Sequence, residues 1–204
     1  MITIIDYGAG NIKSIQNMLK KIGVPSKLTN SAEEVLTAEK LILPGVGHFD
    51  YGIQQLRNSG LIDCLEKRVL EDKVPLLGIC LGAQMLGNGS EEGCEKGLGW
   101  IDMDIVHFDT NRINKTHKVP NMGWNYINPA KDSVLLRGLD QQARFYFVHT
   151  YHMKPNKKED VLSYTTYGYE FSSAVSSGNI YGVQFHPEKS HKYGMQLLKN
   201  FTAI

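Results

Sequence analysis

Cysteine, histidine and a carboxylate are side chains that together can carry covalent acyl transfer, and two segments of the chain supply them. Val74-Pro-Leu-Leu-Gly-Ile-Cys80-Leu-Gly-Ala-Gln84 sets a cysteine between two glycines, where an apolar run gives way to a helical one. The pattern is a nucleophile elbow with sulfur in place of oxygen. Gly78 and Gly82 permit a sharp turn and keep neighbours clear of the thiol, and a helix starting beneath Cys80 would draw it toward thiolate. In Gly182-Val-Gln-Phe-His-Pro-Glu188, a strand ends in a histidine with a carboxylate two residues later. His186 can take the thiol proton, and Glu188 can fix its tautomer and stabilise the imidazolium. Alone, a cysteine is more often a small buried apolar residue, and a His-Pro turn beside a helix-capping Glu188 is ordinary. Each motif gains its weight from the other.

These residues come from opposite halves of the chain and need a scaffold that unites them. Ile2 to Ile5 is a short apolar run entering the turn Tyr7-Gly-Ala-Gly10, after which Ile12, Ile15, Met18, Leu19 and Ile22 recur at helical spacing up to Gly23. Val24 to Leu28 reads as a second strand and Ser31-Ala-Glu-Glu34 as a capping box opening another helix. Lys40 to Leu43 is a third strand running into Pro44-Gly-Val-Gly47, helical patterns continue through Asp72, and Val74 to Ile79 is a fourth strand leading into Cys80. Beyond Leu98 the chain turns to short strand-like runs: Gly99 to Phe108, Trp124 to Ile127, Ala143 to His149, Val161 to Thr166, Ser172 to Ser176 and Ile180 to Phe185. Ser177-Gly-Asn179 is a hairpin signal, Lys154 to Asp160 a solvated charged loop, and Met195, Leu198 and Phe201 mark a final helix. The expected fold is α/β: a mostly parallel central sheet flanked by helices, with an additional antiparallel strand region in the C-terminal half, in a single domain spanning residues 1–204.

Composition removes several functions. Lys and Arg number 22 against 21 Asp and Glu, so no excess of positive charge is present to hold a nucleic acid. No apolar run approaches a membrane span, and Met1-Ile-Thr-Ile-Ile-Asp6 lacks the basic region and longer apolar core of a secretion signal, so a cytoplasmic location is expected. Cys64, Cys80 and Cys94 cannot all pair, which leaves a reactive thiol. His149 and His152, three apart in a strand-like segment, should face opposite ways, so no metal is expected, and no cofactor fingerprint is present.

The elbow Gly-Ile-Cys80-Leu-Gly-Ala-Gln84 with the late Phe-His186-Pro-Glu188 resembles the class I (triad) glutamine amidotransferases. Asp6-Tyr-Gly-Ala-Gly-Asn11, Pro44-Gly-Val-Gly47, Ser90-Glu-Glu92, Val119 to Asn125, Phe145 to Tyr151 and His186-Pro-Glu-Lys-Ser190 are similar to the glutaminase subunits of imidazole glycerol phosphate synthases, along essentially the whole chain. The resemblance implies that Cys80 attacks the carboxamide of glutamine. His186 then protonates the departing ammonia, and the backbone N–H groups of Leu81 and of Val46 receive the oxyanion. It implies that Gly47, Gln84, Thr150 and Tyr151 hold the amino-acid part of glutamine. It further implies a (β/α)8-barrel cyclase subunit as heterodimer partner in histidine biosynthesis, with Asn11, Met122, Trp124 and Lys189 near the interface. Each of those four also has an ordinary reading: Met122 and Trp124 as core, Asn11 as a turn residue, Lys189 as a solvated charge. Asn121 stands where histidine is usual in that group.

Other readings compete. Gly97-Leu-Gly-Trp-Ile-Asp102 is similar to paralogues that supply ammonia for amidation of a surface-polysaccharide sugar. Gly8-Ala-Gly10 after a strand could open a nucleotide-binding module, but Lys13 occupies the place of the third glycine. A stand-alone cysteine hydrolase for another small amide would satisfy the elbow and triad; Gln84 and His149-Thr-Tyr151 favour free glutamine.

Overall fold

The computed structural model describes residues 1–113 and 117–204. The N-terminal half alternates strands and helices: β1 (Ile2–Ile5), α1 (Ile12–Lys21), β2 (Ser26–Thr29), α2 (Ala32–Leu36), β3 (Leu41–Gly45), α3 (Phe49–Asn58), α4 (Ile62–Glu66), β4 (Leu76–Cys80) and α5 (Leu81–Gln84). Strands then dominate: β5 (Gly89–Ser90), β6 (Met103–His107), β7 (Asn121–Tyr126), β8 (Asn128–Pro129), β9 (Arg144–His149), β10 (Tyr151–Pro155), β11 (Val161–Tyr167), β12 (Tyr169–Ser177) and β13 (Ile180–Val183), before the closing α6 (His191–Thr202).

The main sheet runs β2-β1-β3-β4-β13-β12-β10-β6-β5, with β11 beside β12 and β8, while β7 and β9 form a separate antiparallel ribbon. From β2 to β13 all neighbours are parallel; β12 and β10 then pair antiparallel, so the fold is the mostly parallel sheet with an antiparallel extension. The strands are short and apolar on both faces because helices cover both sides. Ile15 and Leu19 of α1 and Leu197, Leu198 and Phe201 of α6 pack with Ile2, Ile4, Leu77 and Ile79 on one face. Val35, Phe49, Ile53, Leu56 and Leu65 from α2, α3 and α4 pack with Leu41, Leu43 and Leu76 on the other. Register aligns Gly45 with Cys80 and Ile79 with Val183, so β3, β4 and β13 end side by side. The carboxyl ends of adjacent parallel strands are where ligands enter such sheets. No helix among the described residues is long and apolar enough to cross a membrane.

Four local expectations change. Ser31 stands at the N-cap of α2 without a capping hydrogen bond: its N–H donates to Thr29 Oγ1 at 3.0 Å, and Glu34 pairs with Lys27 at 3.6 Å. The capping box is not formed because β2 offers both residues other partners. The helix after Cys80 is one turn long, which limits its dipole. In the charged stretch, Lys154 and Pro155 belong to β10 and Asp160 is buried. His149 and His152 do not diverge. The chain passes at Thr150 from the β7–β9 ribbon into the main sheet, and this break turns both rings onto Phe108, at 5.2 and 4.9 Å, and onto Phe171, at 5.3 and 5.4 Å.

Candidate active site

Cys80 closes β4 with φ of +54°, a conformation that a non-glycine residue adopts only where the surroundings impose it. The elbow is built by close backbone approach. A Cβ on Gly82 would stand 1.9 Å from the Leu43 carbonyl oxygen, and one on Gly78 2.8 Å from Ala83 Cα. Both glycines are therefore demanded by packing.

His186 follows β13 and reaches the same end of the sheet. Its N–H donates to Tyr146 O at 2.9 Å, while Ser190 Oγ donates to its carbonyl at 2.6 Å, which pins the backbone on both sides. Nδ1 lies 2.8 Å from Glu188 Oε1, and both side chains are almost fully buried, 2 and 1% exposed. Because the carboxylate only accepts, Nδ1 carries a proton in either charge state, and Nε2 is the nitrogen left to exchange a proton with the site. Nε2 has no hydrogen-bond partner within normal geometry, but it interacts electrostatically with Cys80. Burial disfavours the imidazolium; interaction with Cys80 and the hydrogen bond and charge of Glu188 outweigh it and raise the His186 pKa to about 10. The imidazolium form of His186 can therefore persist at neutral pH beside Cys80. Tyr7, whose hydroxyl donates to Pro44 O at 2.6 Å, is pushed upward by burial and then by the charge of Cys80, so it stays protonated beside the elbow.

These groups open into a cavity of about 410 Å³. Val46, Gly47, Cys80, Leu81, Gln84, Thr150, Tyr151 and His186 all line it, so the residues expected around the carboxamide and the amino-acid end of glutamine share one pocket. Glu188 stands behind His186. Gln84 Nε2 donates to Tyr151 O and to Gln184 Oε1, each at 3.1 Å, tying α5 to the start of β10 and to the segment that follows β13.

Of the four residues expected at a partner interface, Lys189 borders the cavity while Asn11, Met122 and Trp124 lie outside its lining. Met122 and Trp124, two apart on β7, are 62 and 40% exposed, so the core reading of both fails. Trp124 stacks on His191 at 5.3 Å. Lys189 is exposed, with Nζ 5.5 Å from the Tyr146 ring centre, and also lines the cavity. Asn11 sits at the N-cap of α1, which packs against the Pro187–Lys189 turn.

Sequence reasoning missed roles for Glu92, His149 and Gln184. Glu92 lines the cavity while its carboxylate accepts from the Phe49 N–H at 2.8 Å, capping α3 from another loop. His149 also lines it, with Nδ1 2.8 Å from Tyr151 O and Nε2 3.0 Å from Asn121 Nδ2. Burial holds its pKa down at about 3, so the ring is neutral. Only a signal for contacts across distant segments could have found these. Among the described residues, no cluster of three or more His, Cys, Asp or Glu could hold a metal ion.

The family model for glutamine amidotransferase class-I matches residues 3–204. The imidazole glycerol phosphate synthase subunit HisH 2 of Pseudomonas aeruginosa is 53% identical over 204 residues, covering all of both chains. The subunit of the same name from Methanococcus maripaludis is 53% identical over 98% of each chain. A crystal structure of a glutamine amidotransferase superposes with a TM-score of 0.74 at 21% identity, covering 100% of this chain and 98% of that one, which speaks to the fold alone. The chain belongs to the class-I glutamine amidotransferase family, among relatives named as HisH subunits.

Proposed function

We propose that the chain is the glutaminase subunit of an imidazole glycerol phosphate synthase, working in the cytoplasm as one domain of residues 1–204. It passes ammonia to a (β/α)8-barrel cyclase subunit in histidine biosynthesis. The observation that carries the reading is the strained Cys80 interacting with His186, whose Nδ1 is held by buried Glu188. The full-length relatives favour this acceptor over a surface sugar.

In this reading the Cys80 thiolate adds to the carboxamide carbon of glutamine, and the Leu81 and Val46 N–H groups receive the charge that forms on oxygen. His186 gives its Nε2 proton to the departing nitrogen, and ammonia leaves behind a glutamyl thioester. Water then attacks the thioester while His186 takes its proton, and collapse of the adduct releases glutamate and restores the Cys80 thiolate beside the imidazolium. Glu188 keeps the ring oriented throughout. Gly47, Gln84, Thr150 and Tyr151 hold the amino-acid end, and Asn11, Met122, Trp124 and Lys189 meet the cyclase.

The test is glutamate release from glutamine by the purified chain, alone and with the cyclase plus its phosphoribosyl ligand. Strong stimulation by the pair is expected. Hydrolysis that the cyclase cannot raise would move the acceptor to the surface-sugar enzyme, and absence of hydrolysis in both cases would overturn the enzymatic reading.

A further inference from the structure

Gln184 is fully buried, two residues before His186, and belongs to no part of the mechanism above. Its Nε2 lies 3.9 Å from Cys80 Sγ and its Oε1 accepts from Gln84 Nε2 at 3.1 Å. We propose that Gln184 is a positioning residue for the nucleophile: a buried amide that always turns a donor, never an acceptor, toward the Cys80 sulfur.

The direction of that amide is fixed from outside. The Tyr151 carbonyl can only accept, and it receives Gln84 Nε2 at 3.1 Å and His149 Nδ1 at 2.8 Å. Gln84 must therefore present its NH2 end, and the same NH2 meets Gln184, which must answer with its oxygen. The remaining NH2 of Gln184 is left for the sulfur. A flip of either amide would set oxygen against a carbonyl or NH2 against NH2, so the chain has one low-energy polarity. A donor beside the sulfur favours thiolate over thiol, and at 3.9 Å it orients the anion while leaving its nucleophilicity largely intact. The titratable groups facing Cys80 are His186, with Glu188 behind it, and Tyr7, which stays protonated. Gln184 adds a neutral dipole to that set. Because Gln84 and Tyr151 both line the cavity, a ligand that binds them is felt at the sulfur through Gln184.

The inference rests on Cys80 being the nucleophile, and the experiment separates the two. Alkylation of Cys80 by iodoacetamide is followed without glutamine from pH 5 to 10, by mass spectrometry of the Cys80 peptide, in the full chain and in Gln184→Met. Glutamine hydrolysis is measured alongside. In Gln184→Met the midpoint of the alkylation profile moves to higher pH and kcat falls by roughly tenfold with KM little changed. Gln84→Met, which removes no contact to the sulfur, moves the midpoint the same way because it frees the Gln184 amide to turn. Gln184→Glu, checked for folding by thermal unfolding, serves if the methionine variant does not fold, and moves the midpoint further. Profiles in the folded variants that superpose on the parent overturn the positioning role. A Cys80→Ala chain that still hydrolyses glutamine overturns the underlying reading instead.

Discussion

Replacing Gly45 with alanine tests how tightly β3 and the elbow are pressed together. An added Cβ would lie 2.6 Å from Gly82 N, 2.9 Å from Leu81 Cβ and 2.9 Å from Tyr7 Oη. The first two neighbours are the elbow itself and cannot swing aside. The Tyr7 hydroxyl can, at the loss of its 2.6 Å bond to Pro44 O, about 1 kcal/mol. Overpacking of a close-set core costs about 1–3 kcal/mol, and a site with rigid neighbours belongs at the upper end. Gly45→Ala should therefore lose about 3 kcal/mol, and the shifted elbow should lower glutaminase activity with or without a partner. Gly45 and Gly47 on either side would also let the Val46 peptide flip between a productive and an unproductive direction, and alanine at 45 changes the elbow whether or not such a flip occurs. Gly47 is the cleaner probe: a Cβ there meets nothing within 4 Å, and only its φ of +102° opposes a side chain. Gly47→Ala should cost about 1–2 kcal/mol and shift the ratio of partner-stimulated to basal rate. The assay is urea unfolding beside glutamate release. Loss of under about 1 kcal/mol in Gly45→Ala, with full activity, would refute the close approach described for β3 and the elbow.

Three further outcomes are expected. Glu188→Gln should retain on the order of a hundredfold more activity than His186→Asn, because orientation is secondary to proton transfer; equal losses in kcat would contradict the assigned roles. His149 has a folded pKa depressed to about 3 from 6.5, so its contribution is present above pH 6.5 and is lost as pH falls toward 3. Between pH 7 and 5 that amounts to about 2 kcal/mol, and His149→Gln should flatten the pH dependence of urea unfolding by that much; an unchanged slope counts against the buried neutral ring. Trp124→Ala should weaken cyclase binding by about 2 kcal/mol while leaving basal hydrolysis intact, measured by titration calorimetry; unaltered affinity would remove β7 from the interface.

The parallel half was legible in the sequence because its strands are apolar runs between helical periods: β1, β3 and β4 each lie within a residue or two of the expected positions. The Ser177-Gly-Asn179 signal was also sound, since β12 and β13 pair from Ser177 and Ile180 outward with Gly178 at φ of +58°. Failures came where a local rule met a tertiary competitor. Ser31 and Glu34 have capping chemistry, but β2 claims them. Ala143 to His149 read as one strand, yet the continuation β10 was hidden by the change of sheet at Thr150, which also reversed the expectation for His149 and His152. Gln184 and Glu92 work through partners 100 and 43 positions away, and no periodicity records that.

The most direct test of the account is Cys80→Ala, assayed for glutamate release from glutamine and, with the cyclase, for product formation from added ammonium. Glutamine-dependent activity should vanish while the ammonium-dependent reaction of the complex survives. Glutamine hydrolysis at the parental rate in that variant would contradict it.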